Sequence, residues 1–102
     1  MTVSPSSGGT GTAIHVVVSG AYPNRKGQIT LCGVDADGAP ITAPQTACDA
    51  GGGIAEQVDA SGAMSVTYTI ATHLTASPQY AIYFLAVNGD VVAKAPFVYS
   101  VG

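Results

Sequence analysis

The residues of this chain with the most chemistry open to them are two cysteines, Cys32 and Cys48, separated by 48 − 32 = 16 positions. No second Cys or His pair stands near them, so the spacing does not suit a zinc site. A nucleophilic Cys32 would need a positive neighbourhood, and the nearest base, Lys26, lies beyond five positions. Two outcomes stay open for the pair: a disulfide, or two structural thiols. A bridge closing such a loop stabilises by about 3 kcal/mol in the chain-entropy model. It would also indicate an oxidising final location.

The other polar residues form no catalytic set. His15 alternates onto the outer side of its segment and His73 follows the end of another, with no Ser or Asp spacing that links them into a triad. Asp35-Ala36-Asp37-Gly38 has the start of a calcium loop, but the later ligands and closing Glu are missing from Ala39 to Thr42, so it reads as a turn. Gly51-Gly52-Gly53 lacks the Lys and helix of a phosphate loop. Arg25 and Lys26 read as solvated turn residues, and Asp49, Glu56 and Asp59 as loop carboxylates without apolar company. No cofactor, metal or enzymatic activity is expected.

Composition narrows the partners. Three Lys and Arg against six Asp and Glu give a formal charge of −3, which argues against nucleic acid or an anionic membrane, since both are bound through clustered cations. Hydrophobic residues at 47% argue against disorder. No run of about 18 apolar residues is present to cross a membrane as a helix. Residues 1–20 show no basic start followed by an apolar run, so no signal peptide is expected within them. Whether a leader preceded Thr2 stays open.

Chemistry of this kind must be held by short strands. Turn signals recur at Ser4-Pro5-Ser6-Ser7-Gly8-Gly9, Pro23-Asn24-Arg25-Lys26-Gly27, Asp37-Gly38, Gly51-Gly52-Gly53, Ser61-Gly62, Ser77-Pro78 and Asn88-Gly89, with Val, Ile, Thr and Tyr between them. Seven strands are expected near 2–4, 12–19, 27–35, 53–58, 63–71, 79–87 and 91–101, in one all-β domain spanning 1–102. Met64, Val66, Tyr68 and Ile70 alternate with Ser65, Thr67 and Thr69, which puts the first set in a core and the second in water. Ile14, Val16 and Val18 point inward by the same rule.

The most informative stretch is the last hairpin. Asn88-Gly89 between two apolar runs predicts a two-residue type I′ turn, which pairs Val87 with Asp90, 85 with 92, 83 with 94 and 80 with 97. One face then carries Tyr80, Ile82, Phe84, Ala86, Val91, Ala93, Ala95 and Phe97 and belongs to the core. The other carries Tyr83, Leu85, Val87 and Val92 beside Lys94 and Asp90. A half-apolar outer face on a sandwich marks either a surface under the chain's own loop or terminus, or a site for a partner or ligand.

The sequence resembles the neocarzinostatin family, the small immunoglobulin-like carrier proteins of actinobacteria. The resemblance rests on Thr2-Val3-Ser4-Pro5-Ser6-Ser7-Gly8 leading to a valine-rich strand ending Val18-Ser19-Gly20, on Cys32 and Cys48, on Gln57 to Val66, and on Val87-Asn88-Gly89-Asp90 through Ala95-Pro96-Phe97. It implies a seven-strand immunoglobulin-like antiparallel sandwich in which Cys32 and Cys48 bridge one end of a cleft. Two departures bear on function. Thr75-Ala76-Ser77-Pro78 replaces the loop where the family usually has a second disulfide, and Gly33-Val34 stand where the carriers tend to place a large aromatic. Trp is absent, so flat walls for a polycyclic ligand are few.

The leading expectation is therefore a non-enzymatic binding or structural module. Its most concrete form is an accessory or decoration protein on an actinobacterial phage virion, by analogy with immunoglobulin-like domains on virions. Tyr83, Leu85, Val87, Val92 and Lys94 would dock a capsid or other virion protein, with the chain on the virion surface or extracellular. The alternatives are a small-molecule carrier of the antibiotic-chromophore type, using the same face, and a secreted adhesion module. Homo-oligomers are plausible because sandwich edges invite pairing.

Overall fold

The computed structural model describes residues 1–36, 40, 48–49, 53–71, 79–87 and 90–99. Their strands are β1 (Thr2–Ser4), β2 (Ser7–Gly8), β3 (Ala13–Val18), β4 (Lys26–Gly33), β5 (Ile54–Gln57), β6 (Met64–Thr69), β7 (Tyr80–Ala86) and β8 (Val91–Tyr99). They form two sheets, β1-β3-β6 and β2-β8-β7-β4-β5, in an all-β sandwich. The N-terminal segment is the one element that sequence reading simplified. It divides at Pro5, pairing antiparallel with β3 before it and parallel with β8 after it, so one arm serves both sheets.

Period-two patterning places the core as expected. Ile14, Val16 and Val18 of β3, Tyr68 of β6 and the following Ile70 are fully buried, and meet Ile29, Leu31, Ile82, Phe84 and Phe97 from the facing sheet. Met64 and Val66 share this face but are only half-buried, because β6 is a sheet edge.

The corner between β5 and β6 is held by one exposed carboxylate. Asp59 Oδ1 accepts from Ser61 N at 2.8 Å, Ser61 Oγ at 2.6 Å and Ala63 N at 3.1 Å. Gly62 closes the corner at φ +79, where a Cβ would lie 2.1 Å from the Ala21 carbonyl oxygen, so only glycine fits. The Ser61 hydroxyl, followed by the Ala63 and Ser61 amides, holds the Asp59 carboxyl below its ordinary range. A depressed folded pKa stabilises above the unfolded value and is lost as pH falls through the folded one. Asp59→Ala is thus expected to be less stable than the parent at neutral pH, with the gap closing below about pH 4. Urea titrations at a series of pH values check this; a gap that persists into acid would assign the loss to something other than the carboxylate.

The hairpin of β7 and β8 departs from the predicted register at its tip. Pairs 80↔97, 81↔96, 82↔95, 83↔94 and 84↔93 stand as expected, but Leu85 pairs with Val91. Ala86 N then donates to Asp90 O at 2.8 Å, leaving 87–89 between the last partners. Asn88 and Gly89 lie outside the described residues. Val92 is the extra residue of a β-bulge, and a bulge reverses the alternation beyond it. Val91, expected in the core, faces outward at 42% exposure, while Val92, expected outside, packs against the core.

Candidate binding face

Register fixes which side chains share the outer face of the larger sheet. Rows run Ala55-Gln28-Leu85-Val91, then Thr30-Tyr83-Lys94, then Cys32-Ala81-Pro96, each from paired positions of β5, β4, β7 and β8. A bare outer face would show these residues to water. Yet Thr30, Cys32, Ala81 and Tyr83 are all buried.

The cover begins at the disulfide. Cys32 and Cys48 are bridged, which resolves the two outcomes the sequence left open. The bridge draws Cys48 against β4, and Val34, Cys48 and Leu85 pack on a second apolar cluster of Cys32, Ala81 and Tyr83. Tyr83 is fully buried, and its hydroxyl pKa is raised, first by that burial and then by the nearby negative charge of Asp35. The expected docking face is thereby redrawn. Tyr83 lies under its own chain, Val92 has turned toward the core, and Leu85 is half-buried. Val87, at 87% exposure, and Lys94 remain on the surface.

What sequence reading missed is beside the bridge. Asp49, read as a loop carboxylate, is fully buried. Strand β5 accompanies β4 only through Ile29, so the next backbone groups of that edge need other partners. Asp49 N donates to Leu31 O at 2.8 Å, and Leu31 N donates to Tyr68 Oη at 3.1 Å. Tyr68 reaches across from the opposite sheet and donates to Asp49 Oδ2, which also accepts from Ala71 N at 3.1 Å. The Asp49 carbonyl accepts from Gly53 N at 3.0 Å and from the Thr30 hydroxyl at 3.4 Å. The carboxylate and the phenol thus complete a strand edge and tie the sheets together. Burial first, and the Asp49 carboxylate second, push the Tyr68 hydroxyl far above its ordinary pKa, so it stays a donor. One sequence signal could have found it: a tyrosine at an inward position, Tyr68, whose hydroxyl requires a partner.

A hollow of about 210 Å³ opens next to the second cluster, lined by Val34, Gln79, Tyr80, Ala81, Tyr83, Lys94 and Pro96. Larger depressions of about 470 and 560 Å³ lie toward the hairpin tip, bordered mainly by exposed positions such as Tyr22, Gln28, Ala55 and Val87. The smaller hollow is the better-defined one, because the buried Ala81 and Tyr83 of the second cluster line it. Among the described residues no group of three or more His, Cys, Asp or Glu is placed to hold a metal ion. His15 is exposed, with Nε2 3.0 Å from the Ser65 hydroxyl. His73, Asp37 and Thr75-Ala76-Ser77-Pro78 lie outside the described residues.

No protein-family model and no curated protein matches the chain. Among solved structures it is similar to macromomycin, with a TM-score of 0.68 at 17% sequence identity, covering 97% of this chain and 96% of that one. The likeness carries the fold over nearly the whole length of both proteins.

Proposed function

We propose that this chain is a non-enzymatic binding protein that seats a small, mainly apolar molecule in the hollow beside the Cys32–Cys48 bridge. The observation that carries the reading is the hollow itself: apolar walls from Val34, Ala81 and Pro96 beside the buried Tyr83, with the Lys94 ammonium and Gln79 as polar groups. A few polar groups set in an apolar concavity are what fixes a ligand's orientation. The sequence resemblance to the neocarzinostatin carriers and the structural likeness to macromomycin support it through the shared fold. At about 210 Å³ the hollow is smaller than a pocket for a drug-sized molecule, so it suits one ring system or the end of a larger ligand. The missing tryptophans agree with such a reduced cargo. The disulfide fits an extracellular setting. Docking on a virion protein is the weaker reading, since Tyr83 and Val92 no longer stand on the surface it needs.

Titration with a naphthalene-class probe, followed by tyrosine fluorescence, tests the proposal. A saturable change is expected, with Val34→Arg, which places a charge in the wall, weakening binding by about tenfold or more. No saturable change with the parent, or equal binding by the variant, would remove the hollow as a binding site.

A further inference from the structure

Among the described residues the two sheets end in four edge strands, and three of these are blunted. Strand β1 is three residues long and runs into Pro5, β2 has two residues, and β5 is a four-residue strand carrying Glu56. Such shortness, proline and charge discourage pairing with another chain. Strand β6 has none of these devices: Met64-Ser65-Val66-Thr67-Tyr68-Thr69 is six residues long without charge, proline or glycine. Among the described residues β3 is the strand it pairs with.

The register shows which groups face out. Ile70 N donates to Thr12 O at 3.1 Å, and antiparallel pairs alternate in bonding, so Tyr68, Val66 and Met64 turn their amides and carbonyls to β3. The amides and carbonyls of Ser65, Thr67 and Thr69 point to the edge away from β3. The corner from Val58 to Ala63 joins β5 directly to β6, so the terminal strands of the two sheets lie on one side of the sandwich. On this side Ile54, Met64 and Val66 pack on the core while staying half-exposed.

We propose that β6 pairs antiparallel with β6 of a second copy about a two-fold axis through Thr67, joining the two three-stranded sheets edge to edge. A second copy fits because the edge is self-complementary. Thr67 faces its own counterpart, Ser65 faces Thr69, and each of the three finds partners for both backbone groups. The exposed hydroxyls form a cross-strand ladder, a favourable pairing. Two chains that each carry −3 meet along a strand with no charge to repel or to desolvate. On the core-facing side the half-exposed Val66 of one copy would lie opposite Tyr68 of the other and diagonal to its Val66.

Sedimentation of the full chain from about 10 μM to about 1 mM is expected to show a reversible dimer. Thr67→Lys keeps an exposed position but sets two ammonium groups face to face, and should weaken the dimer by about tenfold or more. Across the axis the Thr67 Cα atoms would lie about 5.5 Å apart, within disulfide reach. Thr67→Cys should therefore cross-link under mild oxidation, whereas Thr2→Cys on the far edge should not. A monomer over the whole range, or one that takes up only an unrelated extended peptide at this edge, overturns the second copy as the occupant. A dimer indifferent to Thr67→Lys, with equal cross-linking at both cysteine positions, puts the interface elsewhere and overturns the proposal as well. None of these outcomes depends on the hollow beside the disulfide.

Discussion

Tyr68→Phe is expected to destabilise the protein by about 2.5 to 6 kcal/mol, although it removes one oxygen and no hydrocarbon. The phenol is fully buried and spans two obligations, donating to Asp49 Oδ2 and accepting from Leu31 N. Without it the carboxylate loses a charge-assisted bond, worth about 1.5 to 3 kcal/mol, and a buried amide is left unpaired at about 1 to 3 kcal/mol. No cavity is formed, so the loss is polar. Domains of this kind are stable by about 5 to 15 kcal/mol, and the change is a large share of that. Urea unfolding followed by circular dichroism measures it. The pH dependence is a second readout. A tyrosine whose folded pKa is raised stabilises fully below its unfolded pKa and loses that contribution as pH rises toward the folded one. The difference between parent and Tyr68→Phe should therefore hold through neutral pH and shrink above about pH 10. A difference below about 1 kcal/mol at neutral pH would mean that Asp49 and Leu31 find water instead.

Removing the bridge as Cys32→Ala with Cys48→Ala should cost about 3 kcal/mol, the chain-entropy value for the 16-residue separation. The effect extends beyond loop entropy because Asp49 adjoins Cys48. The bridge holds that segment against β4, where Asp49 meets Leu31 and Thr30. The two sets of changes should accordingly not add. Combining Tyr68→Phe with loss of the bridge should show a coupling of about 1 kcal/mol or more, as groups in one network do. Strict additivity would separate the disulfide from the polar edge plug. Loss of the bridge should also weaken probe binding, because Val34, Ala81 and Tyr83 take their places around Cys32 and Cys48.

The β6 strand connects these effects to association. Tyr68 is part of that strand, so its side chain locks the sandwich inward while its neighbours Thr67 and Thr69 leave their backbone groups outward. A strand pinned in this way is a rigid template. It offers a second copy a fixed edge with little ordering cost.

How much of this was legible beforehand follows from the range over which each feature is decided. Alternation of Ile14-His15-Val16-Val17-Val18 and of Met64 to Ile70 is local, and it placed the core faces of β3 and β6 without knowledge of their partners. The hairpin was legible through Phe84↔Ala93. Its tip was not, since one extra residue at Val92 costs little locally and yet exchanges the faces of Val91 and Val92. Asp49 was read as a loop carboxylate because its own segment offers only small neighbours, Ala47, Cys48 and Ala50, and no strand periodicity. Its burial arises from Tyr68 and Leu31, brought to it from two other strands.

By itself, then, the sequence determined a β-sandwich with a hydrophobic interior and two cysteines able to meet, because periodicity and residue chemistry act over a few positions. Tertiary structure alone decided that Tyr83 is covered, that Asp49 plugs the edge of β4, and that β6 ends its sheet among the described residues. Those outcomes depend on which distant segment reaches an edge or face first, and a period-two pattern carries no information about that.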